Sequence, residues 1–95
     1  MANRRNTKKD IDYVVNEVIA DCLNFLYIKK ADTEDQTLTL IDEMLILRDD
    51  LYARVNHVDG KDNPTLVKAH FRKIYKDLEE KSNVVLEKLS ALIRK

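Results

Sequence analysis

Apolar residues recur at spacings of three and four through most of the chain, which is the rhythm of amphipathic helices. In the N-terminal third, Thr7 and Asp10 form a capping-box-like start for such a helix. The β-branched residues that follow also suit a strand, but apolar pairs separated by two polar positions do not alternate with period two. We therefore predict a first helix over residues 8 to 29. Its apolar stripe consists of Ile11, Val14, Val15, Val18, Ile19, Cys22, Phe25 and Leu26.

A second apolar stretch begins after a short polar break. Lys29 and Lys30 suit the negative end of the first helix, and Asp32 or Thr33 is placed to cap the second. The apolar stripe of this helix is unusually wide, which predicts contacts on two of its sides. It contains Leu38, Ile41, Met44, Leu45, Arg48, Leu51, Tyr52 and Val55, and it is widened by Leu40, Ile46 and Leu47.

The only glycine and the only proline in the chain, Gly60 and Pro64, mark the next break. Both residue types are unfavourable inside a helix, by about 1 and 3 kcal/mol respectively, so the stretches on either side are free to be helical. Asn63 is a good N-cap and Pro64 suits the first helical position, so a third helix begins there. Its stripe is interrupted at Lys81-Ser82-Asn83 by a kink or a solvated turn. The stripe contains Leu66, Val67, His70, Phe71, Ile74, Tyr75, Leu78, Val85, Leu86, Leu89, Leu92 and Ile93.

These elements predict an all-α fold: an up-down-up three-helix bundle with a long C-terminal helix. We expect one domain over residues 1–95, with residues 1–7 as a flexible basic arm. An unbroken third helix would overhang the first by roughly ten residues at its C-terminal end. That apolar strip must be buried, either by a bend near Ser82-Asn83 or against a second copy, and we favour the second copy. The predicted self-association residues are Val85, Leu86, Leu89, Leu92 and Ile93.

The charges balance overall, with 17 basic and 17 acidic side chains, so no global field favours nucleic acid or an anionic membrane. Locally they do not: residues 31–60 carry two basic and eight acidic side chains, whereas residues 61–95 carry nine and five. This asymmetry predicts pairing between helices, with an acidic partner-binding face as the alternative. No stretch approaches the roughly 18 apolar residues of a membrane span. The single Cys22 indicates a reducing, cytoplasmic setting and is interpreted as a buried structural thiol.

The candidate chemistry is weak. His57, Asp59 and Asp62 cluster around the loop, but their spacing does not match a known metal site, and we interpret them as part of a helix-terminal turn. His70 lies at the edge of an apolar stripe, where a boundary residue is expected more often than a ligand. One glycine cannot supply a phosphate-binding loop or a nucleophile elbow. We therefore predict no cofactor, no metal and no enzymatic activity.

Two functional classes remain. The leading hypothesis is a small interaction protein that self-associates or presents a helix face to another protein, because of the wide second stripe and the apolar C-terminal strip. The alternative is a nucleic-acid-associated accessory protein, in which a basic N-terminal arm and the third helix contact phosphates. The residues predicted for that contact are Arg4, Arg5, Lys8, Lys9, Lys68, Arg72, Lys73 and Lys76.

Overall fold

The computed structural model describes residues 4–28, 33–58 and 62–94, and these form three α-helices with no strand among them. Helix α1 spans Arg4–Ile28, α2 spans Glu34–Asn56 and α3 spans Pro64–Ile93. The three-helix bundle predicted from the apolar periodicity is therefore confirmed.

The helices run up, down and up along a rod with extents of 53 × 18 × 18 Å. Helices α1 and α3 are parallel: Tyr75 contacts Thr7 and Asp10 near the start of α1, whereas Ile93 lies beside Ile28 at its end. Helix α2 runs in the opposite direction, since Arg54 near its end pairs with Asp77, whereas the earlier Glu43 pairs with Lys88 further along α3. The loops are short enough to permit only neighbouring antiparallel connections.

One buried row of side chains per helix forms the core, which we call the seam. Its members follow each other at spacings of three and four, as expected where three helices meet along one line. The seam consists of Thr7, Ile11, Val15, Val18, Cys22 and Phe25 on α1, Thr37, Leu40, Met44, Leu47, Leu51 and Val55 on α2, and Phe71, Ile74, Leu78, Ser82, Val85, Leu89 and Leu92 on α3.

Helix α1 begins earlier than its capping pattern predicts. Thr7 is fully buried inside the helix, so its hydroxyl does not cap an N-terminus. Arg4 and Arg5 are helical as well, which contradicts the prediction of a flexible arm for residues 4–7. The capping interpretation was wrong because the seam extends one turn further back, and burial of Thr7 against α3 stabilises the additional turn.

The seam of α2 is shifted from the predicted stripe. Leu40 and Leu47 are core residues, whereas Leu38 is 44% exposed and Ile46 is 68% exposed. Helix α2 contacts both α1 and α3, as the width of its stripe predicted, but Leu38 and Ile46 lie outside the core. Thr33 is the N-cap residue, but its side chain caps no backbone N–H, and Asp32 lies outside the described residues. In the first turn of α2, the Thr37 hydroxyl instead donates a hydrogen bond to the Thr33 carbonyl (2.8 Å).

Helix α3 is continuous through Ser82 and Asn83, and Ser82 is buried in the seam, so the helix does not end or break at the predicted interruption. Its C-terminal half packs within the bundle's own core: Val85, Leu89 and Leu92 are buried, and Leu86 is half-buried against them. Ile93, at 53%, is the exposed member of the predicted strip.

The overhang of α3 lies at the opposite end from the one predicted. Tyr75 is level with Thr7 and Asp10, so the first turns of α3 extend beyond the start of α1. The prediction was wrong because it aligned the start of α3 with that of α1. The overhang was the reason for assigning the C-terminal apolar strip to self-association, so that assignment is no longer supported. The homodimer itself stays a prediction.

The start of α3 is capped as predicted. The Asn63 Oδ1 accepts hydrogen bonds from the backbone N–H groups of Thr65 (3.0 Å) and Leu66 (3.4 Å), and Pro64 occupies the first helical turn. These bonds satisfy two donors that otherwise have no partner within the helix.

We expect Asn63→Ala to lower the free energy of unfolding by about 1 kcal/mol, because it removes both capping bonds. Chemical denaturation of the variant beside the wild-type protein measures this. Asn63→Asp, which keeps an accepting oxygen, is the matched control and should retain most of the stability. Equal losses in both variants would show that the cap does not stabilise α3.

Candidate functional site: the groove between α1 and α3

An open groove runs along the junction of α1 and α3. Two depressions, with volumes of about 440 and 610 Å³, share Asp21 and Leu86 and so form one continuous surface. We call it the α1–α3 groove. Its outer walls are formed by Tyr13, Val14, Glu17, Asp21, Asn24 and Ile28 of α1 and by Tyr75, Glu79, Ser82, Asn83, Leu86, Ser90 and Ile93 of α3.

The groove arises from a second stripe on each helix, beside the seam. On α1 the residues Val14, Asp21 and Ile28 are spaced by seven, so they lie above one another on the side of the helix that faces α3. On α3 the residues Leu86 and Ile93 have the same spacing. The sequence reasoning missed this site because it assigned most of the apolar residues of this second stripe to one core stripe. The available signal was the presence of large apolar residues beyond the seam, such as Leu86 and Ile93, which are seven positions apart on α3.

Several groove residues are more exposed than apolar side chains usually are. Tyr13 is 69% exposed and Ile28 is 81% exposed, and Ile93 faces solvent at the same end as Ile28. Apolar residues that line one contiguous concave surface are typical of binding sites, whereas singly scattered ones are normal on any protein.

The charged side chains that line the groove are all acidic. Glu17 and Asp21 belong to α1 and Glu79 belongs to α3, so carboxylates stand on both walls. None of the three takes part in an ion pair with another described residue. The nearby cations Arg72 and Lys76 are exposed on α3 but do not line either depression.

Ser82 is the small residue in the α3 seam. It stands where the seam otherwise carries large apolar side chains such as Leu78 and Val85, and it lines the groove. The residue is 3% exposed, and its hydroxyl has no hydrogen-bond partner among the described residues. A small side chain at this position leaves room in the wall of the groove between Glu79 and Leu86.

Two tyrosines, one on α2 and one on α3, hydrogen-bond to the N-terminal part of α1. The Tyr75 hydroxyl of α3 donates to Asp10 (2.5 Å), and the Tyr52 hydroxyl of α2 donates to Asp12. Burial and the hydrogen bond to the carboxylate raise the pKa of both tyrosines, so the phenols remain protonated donors at neutral pH. Tyr75 also lines the groove, so this hydrogen bond lies at the end of the groove near the start of α1.

The structure brings the two predicted basic clusters to the same end of the bundle, because α1 and α3 are parallel. It does not place them on one face. Lys8 lies 5.7 Å from the centre of the Tyr52 ring on the α2 side, whereas Lys73 lines a separate depression between α2 and α3 with Arg54, His57 and His70. Arg4, Arg5, Lys9, Lys68, Arg72 and Lys76 are exposed around this end.

Arg54 joins α2 to α3. Its guanidinium contacts Asp77 of α3 (2.6 Å) and Asp50 one turn earlier on α2 (3.0 Å), and the hydrogen bond from Arg54 lowers the pKa of Asp77. A second cross-helix pair joins Lys88 to Glu43 (3.3 Å). The Lys88–Glu43 pair agrees with the predicted pairing of the acidic α2 with its basic neighbour, whereas in the Arg54–Asp77 pair the cation belongs to α2 and the carboxylate to α3.

The depressed pKa of Asp77 makes part of the stability dependent on pH. A carboxyl with a folded-state pKa below its unfolded value contributes stability above pH 4, and this contribution disappears as the pH falls through the folded-state pKa. We expect Asp77→Asn to cost about 1 kcal/mol at pH 7 and much less at pH 2. Urea denaturation at both pH values tests this, with Asp50→Asn as the milder control, because Asp50 pairs with the same Arg54 but its side chain is more exposed than that of Asp77. An Asp77→Asn deficit that is equal at both pH values would contradict it.

The other candidates for chemistry remain separate. Cys22 is fully buried, and burial, with the nearby Asp21 carboxylate, raises the pKa of its thiol, which disfavours the thiolate. His57 and Asp62 are exposed, and Asp59 lies outside the described residues. His70 is half-buried as predicted, and its Nε2 lies 2.7 Å from the Arg54 carbonyl, which can only accept a hydrogen bond. Within residues 4–28, 33–58 and 62–94, no group of three or more His, Cys, Asp or Glu side chains could hold a metal ion.

Comparisons with protein-family models, with curated proteins and with solved structures found no match to this chain. None of the described helices combines the length and apolar character needed to cross a bilayer. The cytoplasmic setting inferred from the single cysteine stays a prediction.

Proposed function

We propose that this protein is a non-enzymatic interaction module whose α1–α3 groove takes one amphipathic helix of another protein. The observation that carries the proposal is the continuous apolar groove beside a seam that the chain already buries by itself. The exposed apolar residues of the groove are not needed for the core of the bundle. They are therefore available to a partner.

A helix suits this groove in shape and length. The surface between two parallel helices is the position that a fourth helix fills in a four-helix bundle, and amphipathic helices commonly lay their apolar side into such grooves. From Tyr13 to Ile28 the α1 wall is about 22 Å long, which corresponds to about four turns of a partner helix.

A second copy of this chain suits the groove less well. A twofold dimer joined groove to groove would repeat the same surface on both sides. Carboxylates would then meet carboxylates, because Glu17, Asp21 and Glu79 are the charged residues that line it. Like charges across an interface cost several kcal/mol, so the partner is a different protein.

The test uses site-specific photo-crosslinking in the native cell. A photoreactive amino acid at Ile93 in the groove is compared with the same amino acid at Ile46, which is exposed on α2. A protein that crosslinks from position 93 but not from position 46 is then purified and titrated with the full chain. Molar-mass measurement of the complex distinguishes a different partner from a second copy.

The titration includes a groove variant, Ile28→Glu with Ile93→Glu, and the matched variant Ile46→Glu. We expect the groove variant to weaken binding at least tenfold and the α2 variant to leave it unchanged, since all three residues are exposed and tolerate charge in the isolated bundle. Equal affinity of the partner for the wild-type protein and the groove variant would overturn the proposal, as would crosslinking to a second copy only.

A second candidate, nucleic-acid association, is favoured by one observation: both predicted basic clusters lie at the same end of the bundle. Retention of the protein on DNA or RNA at about 50 mM salt, lost steeply as salt rises, would support it. Lys68→Glu with Arg72→Glu should then reduce retention. No retention at low salt would remove this candidate.

A further inference from the structure

The lining of the α1–α3 groove is negatively charged, although the chain as a whole is neutral. The chain carries equal numbers of acidic and basic residues, yet the three charged residues that line the groove are carboxylates. This local excess specifies more about a partner than the apolar surface alone, because complementary charge sets partner choice and orientation.

The carboxylates are placed to flank a docked helix. Glu17 and Asp21 are one turn apart on the α1 wall, about 6 Å along the axis, and Glu79 stands on the opposite wall. Apolar residues continue the groove beyond them, with Leu86 on the α3 wall and Ile28 at the end. A helix lying in the groove would therefore have an acidic group near each of its two sides.

No cation among the described residues forms an ion pair with these groups. The ion pairs among the described residues engage other carboxylates, and Arg72 and Lys76 lie on α3 outside the groove lining. A partner with acidic flanks would meet unpaired like charges, whereas a partner with basic flanks would pair with them. We infer that the groove takes a basic amphipathic helix, with an apolar stripe flanked on both sides by Lys or Arg.

This inference rests on the proposed helix docking, and the experiment separates the two. Two synthetic labelled helical peptides of about 18 residues share one leucine stripe and differ only in flanks of Lys or Glu. Each is titrated against the full chain by fluorescence anisotropy at about 50 mM and about 300 mM salt. We expect the Lys-flanked peptide to bind at least tenfold more tightly at low salt, with a smaller preference at high salt.

A triple variant assigns the preference to the groove. Glu17→Lys, Asp21→Lys and Glu79→Lys together should reverse the preference toward the Glu-flanked peptide. The matched control reverses three exposed carboxylates that do not line the groove, Asp42→Lys, Glu80→Lys and Glu87→Lys, and changes the net charge equally. This control should keep a preference for the Lys-flanked peptide, and circular dichroism verifies that both triple variants are folded.

Each outcome has one meaning. If both peptides bind equally and Ile28→Glu with Ile93→Glu weakens both, helix docking stands and the basic partner is overturned. If the preference is the same in both triple variants, the peptide binds through net charge elsewhere and the inference also fails. If neither peptide binds at concentrations up to about 1 mM, the proposed helix docking itself is contradicted.

Discussion

Leu89→Glu is expected to unfold the bundle, whereas Ile93→Glu should leave its stability almost unchanged. Both residues belong to the strip that the sequence assigned to a dimer interface. Leu89 is 4% exposed in the seam, while Ile93 is 53% exposed at the rim of the groove. Removing a buried leucine alone costs about 2–5 kcal/mol, and a carboxylate in its place adds the cost of a buried, unpaired charge.

That loss is comparable to the whole stability of a chain this size, about 5–10 kcal/mol. Circular dichroism at 25 °C should therefore show lost helicity for Leu89→Glu and wild-type helicity for Ile93→Glu. A folded Leu89→Glu protein that sediments as a monomer, beside a wild-type dimer, would instead restore the dimer interface predicted from the sequence. Sedimentation of all three proteins distinguishes these results.

Leu51→Ala is expected to lower the free energy of unfolding by about 2–5 kcal/mol. Leu51 is fully buried in the seam of α2, and its truncation leaves a cavity that the tightly packed neighbours fill only in part. The matched substitution is Ile46→Ala on the same helix, where a side chain of the same composition is 68% exposed. It should cost less than about 0.5 kcal/mol.

Urea denaturation of the two variants measures both values with one method. Each kcal/mol corresponds to about 4–8 °C in the melting temperature for a domain of this size, so a thermal melt provides an independent check. A large loss for Ile46→Ala would mean that the outer side of α2 is covered in solution. Helix α2 would then have a further contact beyond those with α1 and α3.

The groove explains why the bundle retains apolar residues that its own fold does not need. Tyr13 and Ile28 could be replaced by polar residues without touching the seam, and a polar surface would be more soluble. Their cost to an isolated bundle is compensated if a partner covers them. The crosslinking and peptide experiments test this from two sides, since one starts from the cell and the other from defined chemistry.

The periodicity of apolar residues was sufficient to predict three helices and their alternating directions. Local chemistry also located the start of α3, because the Asn63 cap and Pro64 act on the residues that immediately follow them. Such signals are readable from sequence since they depend on spacing along one helix and on backbone geometry.

The sequence alone did not determine the axial position of each helix relative to the others. Thr7 was interpreted as a cap and is buried in the core, and Ser82 was placed in an interruption of the apolar stripe and occupies the seam. Both assignments depend on which residues of the neighbouring helices lie at the same level, and the apolar stripe of one helix contains no information about them. The position of Tyr75 beside Asp10 sets the alignment of α3 with α1, and this is a tertiary contact between residues 65 positions apart.

The same alignment decided the candidate site. Residues such as Leu86 and Ile28 are ordinary members of an apolar stripe until two parallel helices place them on the walls of one groove. The acidic lining arises in the same way, because Glu17 and Glu79 are far apart in the chain and unremarkable within their own helices. Sequence therefore determined the three helices and the cap of α3. Packing between the helices determined which apolar residues form the core and which remain available to a partner.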